Sequence, residues 1–373
     1  MSNQFQHSRS DFLDRLRVIL TMLVILHHTA IMYGAEGGWY LRYKASGLFS
    51  GVLLTLFCAV NQSFFMGTFF LLAGYFTPHS FDRKGVKQFT LDRLLRLGIP
   101  ILVFGFLIGP LAIAMIDTPA NMNMFSFWWH LIKKGTFNIG PLWFAYALLI
   151  FSTVYVVLRF LIPRFSWEIP IRNLRHSLIF FSLMAWGFGA FLLRLWVPTG
   201  QEFGLLQIGY FSSYILLFFI GCAAAKNRLL EKIEAKLVLP WAWISVLTIP
   251  SLFIYAGLAG AFKGAPFELH GGWTMPVVFY AFWEPFVACG IILMLLWRCR
   301  ISPKPWKFWN RLAPLAYAAF IFHTPIVVAF GVLFEPWKNY SLPMFGLVGT
   351  LSLAASFGLA AILVRLPGAR KIL

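Results

Sequence analysis

Residues Phe12 to Tyr33 read FLDRLRVILTMLVILHHTAIMY, an apolar run long enough to cross a bilayer as a helix, yet it carries Asp14, Arg17 and His28. At about 100° per residue, an eleven-residue spacing brings Arg17 and His28 back to one face, with roughly 16 Å between their levels. Asp14 falls one turn before Arg17 on that face. Ionisable side chains in a membrane helix are costly and normally face a bundle interior or a water-filled cavity, so the stripe reads as a site. For Asp14 and Arg17 a second reading stands beside it: an interfacial pair anchoring the cytoplasmic end of the span. His28 sits well past the interface, and its neighbour His27 points about 100° away. One of the two histidines simply bonding a neighbouring helix is the alternative.

Composition sets the frame. Of 373 residues, 60% are hydrophobic and 12% charged, and the mean hydropathy is +0.76, which excludes an ordinary soluble globular chain. Runs of spanning length recur near 12–34, 50–76, 94–116, 141–163, 175–197, 205–226, 236–260, 273–297, 312–334 and 341–366. The expected fold is therefore all-α: a polytopic membrane bundle of about ten helices forming one domain over 1–373, with no soluble domain or linker. An even number of spans puts both ends on one side. Only Arg42, Lys44, Lys133, Lys134, Arg194, Lys263 and Lys338 of the 31 basic residues fall at the other ends of the runs, so both termini are predicted to be cytoplasmic. Most of the net charge of +18 is thereby assigned to topology and to attraction for anionic membrane lipid, and nucleic acid is not expected as a partner. Cys58, Cys222, Cys289 and Cys299 are scattered singly and read as small hydrophobes. The polar opening Met1–Ser10 does not resemble a cleaved signal, so the first span is expected to stay in the mature protein.

Several further constellations stand out. Asn61 and Gln62 lie near mid-depth of the second run, which ends in Phe69-Phe70-Leu71-Leu72-Ala73-Gly74-Tyr75-Phe76; Gly74 there allows close backbone approach. Arg93 and Arg96 are i,i+3 neighbours and form either a phosphate clamp or a basic flank of the membrane. The stretch Asp117–Gly140 contains Trp128 and Trp129 and is an amphipathic or re-entrant candidate. With Trp39, Tyr40 and Trp273 these rings are either a sugar-stacking rim or an ordinary aromatic belt. Phe282-Trp283-Glu284-Pro285-Phe286 sets an acid beside a helix-breaking proline near the bilayer centre, and His323-Thr324-Pro325 repeats the pattern. Glu284 is a functional candidate, a neutral buried carboxyl being the alternative. His323 is the partner expected for it.

The Arg17-x10-His28 spacing after Phe12-Leu13-Asp14 resembles the membrane acyltransferase 3 family, which holds sugar O-acetyltransferases and glucan succinyltransferases of the biosynthesis protein C type. The likeness extends to Met66, Phe69, Phe70, Gly74 and Tyr75, to Arg93-x-x-Arg96-x-x-x-Pro100, to Leu142-Trp143-Phe144, to Tyr317 through His323 and Pro325, and to Arg365-Leu366-Pro367. Ala73, Ala316 and Phe320 stand where the family carries Ser, Ser and Tyr, which removes three hydroxyls.

The resemblance implies an O-acyltransferase in the bacterial inner membrane, moving an acetyl or succinyl group from a cytoplasmic acyl-CoA to a hydroxyl of a glycan at the outer face. In this reading Arg17, Arg93 and Arg96 hold donor phosphates and Asp14 orients Arg17. His28 is the general base or acyl-accepting nucleophile, with Glu284 and His323 lining the shaft. Asn61, Trp143, Trp128 and Trp129 are the acceptor-binding candidates. No metal or redox cofactor is indicated, acyl-CoA being a co-substrate. A transporter or flippase of a glycan or lipid, using the same buried charges without covalent chemistry, is the alternative.

Overall fold

The computed structural model describes residues 2–162, 168–170, 175–302 and 307–373. Arg164, Arg172 and Lys304 of the basic set lie outside these residues. Among the described residues nine helices are long and apolar enough to cross a membrane. They are α1 (Asp11–Met32), α2 (Leu48–Asp117), α3 (Gly140–Leu161), α4 (His176–Trp196), α5 (Ile208–Ala225), α6 (Ala235–Leu258), α7 (Met275–Ile301), α8 (Phe308–Leu333) and α9 (Ser341–Leu363). No sheet forms among them; Phe203 and Leu206 make a single bridge. The protein is an all-α, multi-pass membrane protein.

The ten expected runs map onto nine helices because α2 carries two of them, 50–76 and 94–116. At 70 residues α2 would measure about 105 Å if straight, several times a hydrocarbon core of about 30 Å. It is broken at Gly85, whose φ of 71° and ψ of 171° interrupt the helix. A glycine adopts that positive φ without the Cβ clash other residues meet. The chain between the two runs is thus helical on both sides of one glycine.

The described contacts divide into two compact units. The first comprises residues 1–16, 62–86 and 154–305. In it α7 packs on α6 and α4. The fit is close enough that a Cβ on Gly290 would stand 2.1 Å from the Trp241 carbonyl oxygen, and one on Gly74 2.0 Å from that of Phe218. The close approach expected at Gly74 is therefore made by α5. All four cysteines are buried and unbridged.

The second unit comprises residues 17–61, 87–153 and 306–373. Here α8 packs along α9. A continuous apolar core joins Val18, Ile25 and Met32 of α1 to Ala318, Ala319 and Val327 of α8 and Val348 and Phe357 of α9. The stretch between α2 and α3 forms a helix, Met124–Lys133, capped by the Asn123 side chain accepting from the Ser126 N–H at 2.9 Å. Leu131 is buried while Phe125 and Trp129 are exposed, the two-faced pattern expected of it.

Two turns of α2 within this unit are π-helical, Leu94–Gly98 and Phe104–Ile108. Such wide turns disturb the regular ladder and commonly mark functional places. Their carbonyls find partners from elsewhere. Tyr317 donates its hydroxyl to Arg96 O at 2.8 Å, the Asn138 N–H binds Gly105 O at 3.0 Å, and the Trp128 indole binds Leu107 O at 2.9 Å.

Candidate active site

The second unit brings two of the expected residues into direct contact. His28 on α1 and His323 on α8 lie with Nδ1 and Nε2 2.9 Å apart, their rings nearly parallel at 9°. His323 Nδ1 in turn stands 2.6 Å from the carbonyl oxygen of Phe320, one turn earlier on α8. A carbonyl oxygen only accepts, so Nδ1 of His323 carries a proton and donates it. In the neutral ring Nε2 is then the acceptor, and the proton between the rings belongs to His28 Nδ1. The chain of donors fixes the tautomer of both imidazoles and leaves the lone pair of His28 on Nε2. His28 is only partly buried, and no described residue bonds that nitrogen, whereas His323 is wholly buried. The arrangement is that of a general base held by a second group that orients it.

His27 is buried beside the pair and presents its ring edge-on to His28. It is not part of the chain of donors. The aromatic residue that reaches the site is Trp39, stacked on the His28 ring with centroids 4.0 Å apart at 11°. The same indole lies parallel to His323 at 5.9 Å. Residues 33–47 hold it there. Tyr43 N–H binds Met32 O at 2.7 Å, the Tyr43 hydroxyl binds Gly331 O at 3.0 Å, and Ser46 N–H binds Ser341 Oγ at 2.8 Å. Burial and the carboxylate of Glu335 push the Tyr43 phenol up to about 12, so it remains a donor at neutral pH. Next to the indole, Tyr40 donates to Asn138 Oδ1, which also accepts from the Gly140 N–H at 3.1 Å.

Arg17, on the same helix as His28, is half-buried. The Arg93 guanidinium sits 5.0 Å above the Phe89 ring, and Arg96 is exposed on the π-turn that Tyr317 clasps. Because Tyr317 and His323 share α8, the arginine turn is tied to the helix that carries the histidine. Asn61 is buried with its amide nitrogen unpartnered among the described residues. Trp143 opens the helical part of α3 against Phe144, and Phe144 meets Phe320 edge to face at 6.1 Å. Trp128 spends its indole N–H on Leu107, and Trp129 lies exposed under the Lys133 ammonium.

Asp14 and Glu284 belong to the first unit. The expectation that Glu284 pairs with His323 is not met: each has another partner. Glu284 Oε2 binds the guanidinium of Arg194 on α4, both side chains being buried. Arg194 also donates to Gly209 O at 3.3 Å and lies over the rings of Tyr280 and Tyr210, 5.1 and 5.6 Å from their centroids. An arginine answers a buried carboxylate with a full opposite charge and a planar fork of donors, which an imidazole cannot match.

A family model described as an acyltransferase domain, of the acyltransferase 3 type, matches residues 10–364. The chain belongs to the acyltransferase 3 family. This is the family that the stretch from Phe12 to His28 resembles. Among curated proteins it is similar to the glucans biosynthesis protein C of Escherichia coli K12, 29% identical over 166 residues, which is 41% of this chain and 40% of that protein. The protein of the same name from Salmonella paratyphi B is 27% identical over 247 residues, 58% of each chain. The matched stretches therefore span about half the length of these relatives. No solved structure matches this chain.

Proposed function

We propose that this acyltransferase moves an acyl group, acetyl or succinyl, from acyl-CoA on the cytoplasmic side of the bacterial inner membrane to a hydroxyl of a glycan at the outer face. The observation that carries the reading is the donor chain from His28 through His323 to the Phe320 carbonyl, which leaves His28 Nε2 as an unprotonated nitrogen with no partner among the described residues. In the proposed reaction that nitrogen removes the proton of the acceptor hydroxyl as its oxygen attacks the thioester carbonyl carbon. The new C–O bond forms, the C–S bond breaks, and the departing CoA sulfur takes the proton from His28. Arg17, Arg93 and Arg96 serve the donor phosphates, since guanidinium forks match phosphate oxygens. A glycan acceptor is supported by the name of the relatives, glucans biosynthesis protein C, and the membrane orientation by the predominance of basic residues at alternate helix ends.

The test uses the purified full chain with acetyl-CoA or succinyl-CoA and a linear glucose oligosaccharide. Thiol release that depends on the sugar, with an acylated sugar seen by mass spectrometry, is the expected result. Silence with both thioesters, or thioester hydrolysis that the sugar does not change, overturns the reading.

A further inference from the structure

We propose that the indole N–H of Trp39 is the hydrogen-bond donor to the acyl carbonyl oxygen, making Trp39 a catalytic residue alongside His28. This inference rests on the acyl transfer proposed above and assigns a second group to that site.

Three observations carry it. The indole lies flat on the imidazole of His28 at 4.0 Å and parallel to His323 at 5.9 Å, so it belongs to the same stack as the ring that would act as base. Its Nε1 is buried yet has no hydrogen-bond partner among the described residues. A buried donor without an acceptor is disfavoured, so it is a feature a structure retains where something else binds. Finally, the segment that carries the ring is tied down from several directions. Tyr40 follows Trp39 directly, packs edge-on against it at 5.3 Å and is tied to Asn138, while Tyr43 and Ser46 tie the rest of the segment to α8 and α9.

Asn138 itself donates its N–H to Gly105 O in the π-turn of α2 and packs closely on that helix: a Cβ on Gly109 would stand 2.2 Å from its carbonyl oxygen. The segment Trp39–Tyr40 is thereby braced against α2.

The chemistry needs such a group. When the acceptor oxygen adds to the thioester, the carbonyl oxygen gains negative charge, and it loses that charge again when the C–S bond breaks. A preorganised donor in a low-dielectric site stabilises this oxygen in the transition state more than in the ground state, which raises kcat rather than tightening binding. His28 cannot do this, because its Nδ1 proton is committed to His323 and its Nε2 takes the hydroxyl proton. Trp39 supplies a neutral N–H in the same stack, with no proton to transfer.

The experiment replaces Trp39 by benzothienylalanine, which keeps the bicyclic shape and puts sulfur in place of N–H, and compares it with Trp39→Phe and His28→Ala in the full chain. Substrates are acetyl-CoA or succinyl-CoA with the glucose oligosaccharide. Loss of one such donor is expected to lower kcat about a hundredfold while the KM values for thioester and sugar stay within about twofold. Trp39→Phe is expected to fall at least as far. A benzothienylalanine protein with near wild-type kcat overturns the assignment to the N–H, even if Trp39→Phe is impaired, because the ring's bulk would then be what matters. That outcome leaves the role of His28 intact. Full activity of His28→Ala would instead defeat the functional reading, and with it this inference.

Discussion

Glu284 on α7 and Arg194 on α4 form a buried ion pair 90 residues apart in sequence, flanked by the rings of Tyr210 and Tyr280. Removing one partner leaves an uncompensated charge in an apolar interior, a loss of about 3–5 kcal/mol. Glu284→Gln and Arg194→Gln are each expected to lower thermal stability in detergent sharply, and the double variant to lose much less than the sum. A double-mutant cycle between Glu284 and His323 should be additive. Additive losses for Glu284 with Arg194, or strong coupling of Glu284 with His323, would refute the pairing.

His323 holds the tautomer of His28 through the 2.9 Å contact. In His323→Ala the base keeps its position on α1 but loses the acceptor that keeps its proton on Nδ1. The expected outcome is a fall in kcat of about a hundredfold or more, since general acid–base catalysis contributes roughly 10²–10⁴. KM for the thioester should barely move. A variant with normal kcat and a raised donor KM would place His323 in binding instead.

Arg17 is proposed to meet the donor. Arg17→Lys retains the charge and loses the planar fork, so the KM for acyl-CoA should rise several-fold, by roughly 1 kcal/mol of binding, with the sugar KM unchanged. Steady-state kinetics varying each substrate in turn check this. A rise confined to the sugar would put Arg17 at the acceptor.

Tyr317 closes the π-turn by donating to Arg96 O at 2.8 Å. Tyr317→Phe leaves that carbonyl without its donor, which should cost about 1 kcal/mol and loosen the turn that carries Arg96. The expected reading is a modest drop in thermal midpoint together with a raised acyl-CoA KM. A loss of stability with unchanged donor kinetics would separate the turn from donor binding.

The spans, and the stripe of Arg17 and His28 within the first of them, were legible because helical periodicity and hydropathy are local properties of a sequence. His323 was legible as a candidate through its proline-bearing motif, but its partner was not. Pairing across helices depends on packing that no local pattern encodes, and so the proline-bearing motifs suggest His323 for Glu284 where the structure pairs it with Arg194. Arg194 was visible only as one of the few basic residues at the minority helix ends, and nothing near it in sequence signals a buried pair. In sequence Trp39 reads as one of several aromatics of a rim because residues 33–47 lack periodicity; its place on His28 is set by contacts from Tyr40, Tyr43 and Ser46 to distant elements. Trp128 donates to a carbonyl within a π-turn, and such turns are invisible to a hydrophobic pattern.

The most direct measurement of the central claim is the acyl-transfer rate of purified His28→Ala beside His27→Ala. Both retain the apolar length of α1, so both should insert and purify like the wild-type chain. The account predicts no detectable transfer to the sugar from His28→Ala and a rate within a few-fold of wild type from His27→Ala. Transfer by the His28 variant at a wild-type rate, or equal loss from both variants, would contradict it.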